Sequence, residues 1–379
     1  MSRRENSYYI PIDLIIEILS KLPFKSIARF SCVFSKPWRS MLASPYFKKL
    51  FFTSSPARPR LLFSVQRDGN DLCFFSSSQP HNLYEKSSSL VVTADFHMKL
   101  HKDTLTSYCR HAFGLVYFWG PMGMVICNPS TGRSALLPKE GMLSSINYLG
   151  FDPVDKQLKV LSINFDRSGL ILTLGGTGDN SWREISCPLN HFSTGGLSEG
   201  ICINGVLYYF ATLNNGRFYR IVCFHVRSEE FKITYKYFFQ RKTKLINYKG
   251  KLGVITLEYD YNPWDRDRNN PKGRKCSLKL CIHVSALWGN QVVDGDVSVV
   301  GVTATGDIVL YMNEASKPLY VFYLNIERNT LQRVEFRTAN HESFEKCSSK
   351  VILSVDHAED LNFIDMETIY AASAYKSMA

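Results

Sequence analysis

The spacing of apolar side chains divides the chain into two parts with different periods. Through about residue 50, apolar residues recur at steps of three and four, which is the pattern of amphipathic helices. Pro11 and Asp13 suit the first turn of such a helix, and Pro23 ends it. From Leu61 onward, apolar residues alternate with polar ones or form short runs, which predicts strands.

Three short helices are predicted in the first part. Their apolar positions are Leu14, Ile15, Ile18, Leu19 and Leu22, then Ile27, Phe30 and Val33, then Trp38, Met41 and Leu42. Ser44-Pro45 is expected to end the third helix. A unit of about forty residues buries a small core and commonly depends on a partner. The segment 53–60 is rich in Pro, Ser and Arg, which is typical of a linker.

The second part predicts an all-β domain with a weak internal repeat. Val, Ile, Tyr and Phe dominate its short segments, and clusters of Asn, Gly, Asp and Pro separate them. A polar turn joins two apolar segments at 126–133, 224–231 and 324–331. In each repeat a glycine precedes an earlier strand, and these glycines are Gly114, Gly205, Gly250 and Gly306. We expect a propeller-like arrangement, with a sandwich of ordinary hairpins as the alternative.

These patterns divide the chain into three regions and give its fold class. Residues 1–50 form a small N-terminal three-helix unit, residues 51–60 a linker, and residues 61–379 a large all-β, propeller-like domain. The fold class is therefore α+β by segment. We expect no long helix after residue 60.

Composition narrows the class of protein. The 379 residues are 45% hydrophobic and 21% charged, as in ordinary globular proteins. No apolar run approaches the roughly 18 residues of a membrane span, and no apolar segment of a signal peptide follows the N-terminal charges. The ten cysteines are scattered, so we expect reduced core thiols. We expect an intracellular protein of the nucleus, the cytoplasm or both, without membrane contact.

The net charge of +11 is concentrated at the N-terminus. Residues 1–60 contain eleven Lys/Arg and three Asp/Glu, a net +8, which leaves +3 for the other 319 residues. A basic segment predicts an acidic partner. Charge alone does not decide between nucleic acid and an acidic protein surface.

Two sets of motifs resemble known domains. The segment 8–50 resembles the F-box, through Ile10-Pro11 and its helix, Leu22-Pro23, the run 25–33 and Trp38. The later region resembles the F-box-associated domain, of the type 3-like kind, of the large plant F-box family. That resemblance spans most of residues 60–360 and rests on the phrases Cys127-Asn-Pro-Ser-Thr-Gly-Arg, Gly150-Phe-Asp-Pro-Val-Asp-Lys-Gln-Leu-Lys-Val and Glu199-Gly-Ile-Cys-Ile-Asn-Gly-Val-Leu-Tyr-Tyr.

The resemblance implies a substrate-recruiting subunit of a Skp–cullin–F-box ubiquitin ligase. The F-box would dock on a Skp-type adaptor, and through it on cullin, while the β-domain holds a target protein that the sequence does not identify. Neither catalytic residues, nor a metal, nor a cofactor is implied. The residues that the motif match assigns to the adaptor surface are Ile10, Pro11, Leu14, Ile15, Ile18, Leu22, Pro23, Val33 and Trp38.

One departure from the F-box pattern affects that docking expectation. The family usually runs Cys-Val-Ser-Lys-x-Trp, whereas this chain has Cys32-Val-Phe-Ser-Lys-Pro-Trp38, with Phe34 as an extra residue. An insertion inside a helix would rotate Trp38 by about 100°. Pro37 favours a turn, which would absorb the insertion. If it is not absorbed, the alternative is an F-box-derived interaction scaffold that no longer binds the adaptor.

Other chemical motifs carry less weight. Ser198 stands in G-x-S-x-G and the run 175–178 is glycine-rich, but neither has the strand and helix that such sites need. The pairs Cys223/His225 and Cys281/His283 lack zinc-knuckle spacing, so strand positions are the better interpretation. The basic loop 265–275 follows Tyr261 and Trp264, which leaves a carbohydrate- or nucleic-acid-binding domain as another alternative. Nucleic acid is not the partner we expect.

Overall fold

The computed structural model describes the following residues: 10–23, 26–27, 30, 35–54, 59–66, 71–80, 90–100, 109–120, 123–138, 145–164, 169–174, 181–187, 191–193, 200–213, 219–237, 243–259, 275–282, 285–294, 297–312, 319–338 and 351–357. Within them, no helix is long and apolar enough to cross a membrane.

The N-terminal part is helical, as its period predicts. Its helices are α1 (Ile12–Ser20), α2 (Lys36–Ala43) and α3 (Pro45–Ser54), and Ser26, Ile27 and Phe30 have helical backbone between α1 and α2. Their shared core consists of Leu19, Ile27, Leu42, Phe47 and Phe51, and Phe30 packs against it. Leu19 and Phe30 therefore belong to the unit's own core.

Ser44-Pro45 ends α2, and α3, a further helix that the spacing did not predict, begins at Pro45. The break lasts one residue, because proline is well suited to a first helical position. Ser44 Oγ accepts a hydrogen bond from the Phe47 N–H at 3.2 Å, as an N-cap residue does. Phe51 is fully buried, which ties the end of α3 to the core. The helix continues through Ser54, past residue 51, where the linker is predicted to start.

The β-domain consists of short strands. They are β1 (Arg60–Gln66), β2 (Leu72–Ser78), β3 (Leu90–Leu100), β4 (Arg110–Ala112), β5 (Leu115–Gly120), β6 (Gly123–Asn128), β7 (Arg133–Leu136), β8 (Ser145–Asp152), β9 (Gln157–Asn164), β10 (Gly169–Leu174), β11 (Arg183–Ile185), β12 (His191–Ser193), β13 (Ile201–Ile203), β14 (Val206–Leu213), β15 (Tyr219–His225), β16 (Glu230–Tyr237), β17 (Thr243–Tyr248), β18 (Lys251–Tyr259), β19 (Lys275–Ile282), β20 (Ser285–Asp294), β21 (Val297–Val302), β22 (Ile308–Met312), β23 (Leu319–Asn325), β24 (Thr330–Thr338) and β25 (Val351–His357).

Within the described residues these strands form six units that we call blades. Five are consecutive antiparallel groups, namely β4–β7, β8–β11, β13–β16, β17–β20 and β21–β24, with β12 added beside β14. The sixth, the closing blade, combines β25 with β1, β2 and β3. This pattern confirms the propeller-like fold.

The closing blade joins the two ends of the β-domain. Strand β25 pairs antiparallel with β1, with Leu353 opposite Phe63. Strand β3 pairs in parallel with β24, so the closing blade and the preceding blade form one eight-stranded sheet. Phe63 packs on Phe336 with ring centroids 5.0 Å apart. Both backbone pairing and core packing therefore close the ring.

The polar turns of the predicted repeat are hairpin turns that connect β6–β7, β15–β16 and β23–β24. Asn128 Oδ1 accepts hydrogen bonds from the N–H groups of Ser130 at 3.0 Å and Thr131 at 3.3 Å. Asn325 Oδ1 accepts one from the Arg328 N–H at 2.9 Å. A short polar side chain thus stabilises each of these two turns from its first residue.

The glycines predicted to precede strands lie in a second kind of turn, illustrated by the hairpin turn at Gly205. Asn204-Gly205, between β13 and β14, has positive φ at both residues, +51° and +80°. This is the requirement of a type I′ hairpin turn, which fits the twist of the paired strands. A Cβ on Gly205 would lie 3.0 Å from Cδ of Pro153 in the preceding blade. Gly205 therefore permits both the turn and a close approach between blades.

Ion pairs also connect neighbouring blades. Lys159 of β9 is buried and its Nζ donates to Glu229 Oε1 at 2.7 Å and to the Val226 carbonyl at 3.0 Å. Arg183 of β11 also donates to the Glu229 carboxylate. Burial raises the pKa of Glu229, but the hydrogen bonds from Arg183 and Lys159 outweigh it and hold the pKa below its ordinary value. The pairing fixes the β8–β11 blade against the β13–β16 blade.

Two glycine substitutions separate the two roles of Gly205. We expect Gly205→Ala to lower the free energy of unfolding by about 2–3 kcal/mol, since it combines backbone strain with a contact against Pro153. Gly132→Ala is the matched control, because Gly132 also has positive φ (+71°) but no atom within 4 Å of the added Cβ. We expect it to cost about 1 kcal/mol. Urea unfolding measures both, and equal losses would contradict the close approach.

Candidate functional site

An apolar stripe on α1 is exposed in the helical unit. Leu14 and Ile18 are four residues apart in α1, which places them on one side of the helix, and Ile10 precedes the helix. Ile10, Leu14 and Ile18 are 56%, 50% and 55% exposed, and Ile12, in the first turn of α1, is 52% exposed. We call these four residues the α1 stripe. An exposed apolar surface of this kind marks a protein interface.

The nine residues predicted to face an adaptor divide into two groups. Ile10, Pro11, Leu14, Ile18 and Pro23 are exposed. Ile15, Leu22 and Trp38 are partly buried and pack against the unit's own core. Val33 lies outside the described residues. The sequence analysis did not select Ile12, although its position next to Pro11 at the start of the helix was a usable signal.

Exposed charged residues lie on α1 and on the other two helices. Lys21 Nζ donates to Glu17 Oε1 at 2.6 Å, and both side chains are largely exposed. The hydrogen bond from Lys21, aided by its charge, lowers the pKa of Glu17. Asp13, Lys36 and Lys49 are also exposed. Basic residues here suit an acidic partner.

The inserted residue Phe34 itself lies outside the described residues, but the start of α2 is defined. Ser35 has extended backbone, with φ −62° and ψ 163°, and the helix begins at Lys36 with Pro37 in its first turn. Trp38 Nα–H donates to the Ser35 carbonyl at 3.1 Å. Because α2 begins after the insertion, the extra residue does not rotate Trp38 within the helix. The Trp38 side chain packs against the core of the helical unit.

The β-domain contains a cavity where three blades meet. It has a volume of about 310 Å³ and is partly open to solvent. Its walls come from Leu62 of the closing blade, Phe113 between β4 and β5, and Phe151 of β8. The rings of Phe113 and Phe151 are 5.7 Å apart between centroids, at 47°. The rest of the lining is the last four residues of β25, from Ser354 to His357, with His111, Gly114 and Leu115.

Asp356, one of the residues that line this cavity, has positive-φ backbone. Its φ is +50°, a conformation that few residues other than glycine adopt, although aspartate tolerates it. Burial raises the pKa of the Asp356 carboxyl to about 6, and hydrogen bonding to Ala304 and Gln79 offsets only part of that effect. Its Oδ1 atom is buried without a hydrogen-bond partner. The carboxylate is therefore poorly stabilised by the protein around it.

Two histidines that line the cavity have serine partners. His357 Nε2 lies 3.2 Å from Ser130 Oγ, and His111 Nε2 lies 2.7 Å from Ser64 Oγ. Burial, then the charges of His97, His111 and Arg60, lower the pKa of His357 to about 3. His357 is therefore neutral near pH 7, and it provides no positive charge opposite Asp356.

The other chemical motifs gain no site from the structure. Ser198, the run 175–178, His283 and most of the basic loop 265–275 lie outside the described residues. Cys223 is buried in β15, and within the part of the chain that is described no group of three or more His, Cys, Asp or Glu could hold a metal ion. Cys202 is a thiol, and burial raises its pKa to about 11, which makes it a poor nucleophile.

Comparison with known protein families supplies the identification. A family model described as the F-box domain matches residues 9–50, and one described as the F-box associated beta propeller domain matches residues 60–358. The chain belongs to the F-box protein family. The helical unit that carries the α1 stripe is the F-box of this protein, and the bladed β-domain is its F-box-associated propeller.

Curated relatives of this F-box protein match it over nearly its whole length. The Arabidopsis thaliana protein At5g42430 is 46% identical over 96% of this chain and 93% of its own length. Arabidopsis F-box protein At3g57590 is 44% identical over 93% of this chain and 91% of its own. Arabidopsis F-box protein At2g16450 is 41% identical, covering 95% of each chain.

Solved structures resemble this F-box protein less closely. A chain of the nidogen/laminin complex aligns with a TM-score of 0.42 and 14% identity, over 79% of this chain and 98% of that chain. A SapL1 lectin bound to alpha methyl fucoside aligns with a TM-score of 0.38 and 10% identity, over 72% and 94%. These scores are too low to support an inference about ligands.

Asp356 makes the stability of this F-box protein depend on pH. A carboxyl whose pKa is raised from 3.8 to about 6 by folding destabilises the fold above pH 6, and this cost disappears as the pH falls toward 3.8. We expect Asp356→Asn to raise the free energy of unfolding by about 1–2 kcal/mol at pH 7.5. At pH 4 the variant and the wild type should differ little.

Urea unfolding at the two pH values measures this difference. Asp155→Asn is the matched control, since Asp155 is exposed and lies 3.9 Å from its partner Arg227, so its loss should change stability little at either pH. A destabilised Asp356→Asn at pH 7.5 would contradict the assigned cost.

Proposed function

We propose that this F-box protein is the substrate-recruiting subunit of a Skp–cullin–F-box ubiquitin ligase. The observation that carries the proposal is the exposed α1 stripe on an F-box that is followed by a propeller. The F-box would bind a Skp-type adaptor, and cullin through it, while the propeller binds a target protein. The chain would act as a non-catalytic adaptor, and other subunits would transfer ubiquitin.

The energetics of the helical unit support docking. Full burial of an Ile or Leu side chain contributes about 1.5–3 kcal/mol, so a side chain that is already half buried has about 1 kcal/mol left to gain. Ile10, Leu14 and Ile18 retain this unused apolar area on α1 and just before it. A partner that covers the stripe would bury this apolar area and gain the corresponding free energy. The basic N-terminal segment would speed association with an acidic adaptor.

Ligase assembly would take place inside the cell. We therefore propose that this protein is located in the nucleus, the cytoplasm or both. The target protein stays undefined in this proposal, since the loops of a propeller carry its specificity.

The extra residue Phe34 supports one second candidate, a scaffold that no longer binds the adaptor. Deleting Phe34 restores the spacing Cys-Val-Ser-Lys-x-Trp of the family. A large gain of adaptor binding on deletion would favour the scaffold. Unchanged or weaker binding would favour the ligase subunit, in which the turn before α2 has absorbed the insertion.

The double substitution Leu14→Ser with Ile18→Ser tests the leading proposal. We expect adaptor binding to weaken at least about tenfold, because the two changes replace two of the four exposed apolar side chains of the α1 stripe. Helix content should stay unchanged, since both side chains are half exposed in the unbound protein. Titration calorimetry of the full chain with purified Skp-type adaptors provides the affinity, and circular dichroism checks the fold.

Val154→Ser is the matched control for this experiment. Val154 is 60% exposed and lies in the turn between β8 and β9, so it reports on the loss of an exposed apolar side chain elsewhere. Its affinity for the adaptor should equal that of the wild type. If the Leu14/Ile18 double variant binds as tightly as the control, the α1 stripe is not the docking surface.

A further inference from the structure

The cavity where three blades meet has a wall of aromatic and aliphatic side chains. Phe113 and Phe151 are partly buried, and their ring centroids are 5.7 Å apart. Leu62 and Leu115, which are almost fully buried, extend this wall. The two rings contact each other, so an occupant would lie against the pair rather than between its members. A further aromatic ring suits such a surface, because rings attract one another edge to face and in offset stacks.

The charged groups of the lining favour an uncharged occupant. The Asp356 carboxyl interacts with Ala304 and Gln79, and its Oδ1 atom is buried. His357 is neutral near pH 7, and its Nε2 lies 3.2 Å from Ser130 Oγ. No lysine or arginine occurs among the described residues that line the space. A charged occupant would lose water there without gaining a partner of opposite charge.

Phe113 occupies a turn position that is unfavourable for a bulky residue. It precedes Gly114 between β4 and β5, and φ is +54° at Phe113 and +74° at Gly114. The equivalent turns of two other blades begin with Asn204 and Lys249, also at positive φ. Asparagine tolerates this conformation, whereas a bulky aromatic residue there is an outlier. Backbone strain of this kind is concentrated at binding sites, which indicates that the Phe113 ring serves the cavity as well as the core.

The size of the cavity decides between a free small molecule and a side chain. About 310 Å³ is at the lower end of the range for ligand pockets, so one aromatic ring is a suitable occupant. Burial of a single ring corresponds by itself to a Kd of about 1–10 mM, which is too weak to hold a free molecule at micromolar concentration. In an interface, a buried ring is an anchor that carries a large share of the affinity. The opening to solvent lets a ring enter from a bound protein.

We propose that this cavity binds an uncharged aromatic side chain that a target protein presents to the propeller. The ring would lie against Phe113 and Phe151, and the backbone of the target would stay at the opening. This inference rests on the proposed function, because it assigns a recognition element to the target-binding domain.

The test uses the full chain and three blocked amino acids. Nα-acetyl-phenylalanine amide carries the ring, Nα-acetyl-alanine amide lacks it, and Nα-acetyl-arginine amide replaces it with a charged group. We expect the phenylalanine probe to bind with a Kd of about 1–10 mM, and the other two to bind at least about tenfold more weakly. Ligand-observed NMR titration measures all three on the unmodified protein.

Variants then locate the binding. Phe113→Asn removes the ring and introduces the residue type that Asn204 provides in the equivalent turn of another blade. We expect this variant to bind the phenylalanine probe at least about tenfold more weakly. Lys249→Asn is the matched control, since it introduces the same residue at the equivalent turn of a third blade, and its probe affinity should equal that of the wild type. Thermal unfolding verifies that both variants are folded, and the comparison of probes on the wild type depends on no variant.

Two further measurements address other occupants. Leu361 and Phe363 are the first large apolar residues that follow β25 in the sequence. If the double variant Leu361→Ser with Phe363→Ser bound the phenylalanine probe clearly more tightly than the wild type, the occupant would be a segment of this chain and the proposal would be wrong. A probe affinity that decreases as the protein concentration rises would assign the cavity to a second copy of this chain. We expect neither change.

The outcomes are distinct. Binding of the alanine or arginine probe as tight as that of the phenylalanine probe, no binding of any probe, or full binding by Phe113→Asn would each overturn the proposal. Adaptor affinity, measured on the same samples, should be the same in Phe113→Asn and in the wild type. A failure of the cavity proposal therefore leaves adaptor docking intact, and a failure of adaptor docking leaves the probe titration interpretable.

Discussion

The pairing of β25 with β1 is the constraint on which the β-domain depends. Blades that follow one another along the chain form from nearby segments, but a ring closes only if its two ends meet. Here the meeting joins Phe63 to Leu353 across 290 positions of sequence (353 minus 63). Loop closure over such a distance costs entropy, which the buried packing around Phe63 and Phe336 offsets. The cavity exists because this seam brings β25 beside β4 and β8.

Two residues with shifted pKa values lie at the same seam. Asp356 and His357 end the closing strand, and both have pKa values moved by burial. The partly buried carboxylate of Asp356 lowers the stability of the fold. The imidazole of His357 is neutral, so its burial does not remove a charge from water. The F-box also combines buried side chains that stabilise it with exposed apolar side chains. Its small core uses Leu19, Phe47 and Phe51, and it leaves Leu14 and Ile18 exposed for a partner.

Local pattern predicted much of the fold and part of the candidate site. Helical spacing indicated α1, and the order of Pro, Leu-Pro and Trp motifs indicated the F-box. The polar turns and the glycine turns indicated blades. The same reasoning placed Leu14, Ile15 and Leu22 on one face, whereas the structure exposes Leu14 and packs Ile15 and Leu22 against the core. When the apolar face of a helix is wider than its contact with neighbouring helices, spacing alone does not show which of its residues are buried and which are exposed.

The sequence by itself determined the class of each segment, since period and turn residues act over a few positions. It missed α3, because Ser44-Pro45 can end one helix and begin the next, and burial of Phe47 and Phe51 decides that the second helix forms. Tertiary structure alone decided that the first and last described strands of the β-domain share a blade and that Asp356 lines the same cavity as Phe113 and Phe151. Those contacts join residues hundreds of positions apart, and their free energy arises from packing that no local pattern records.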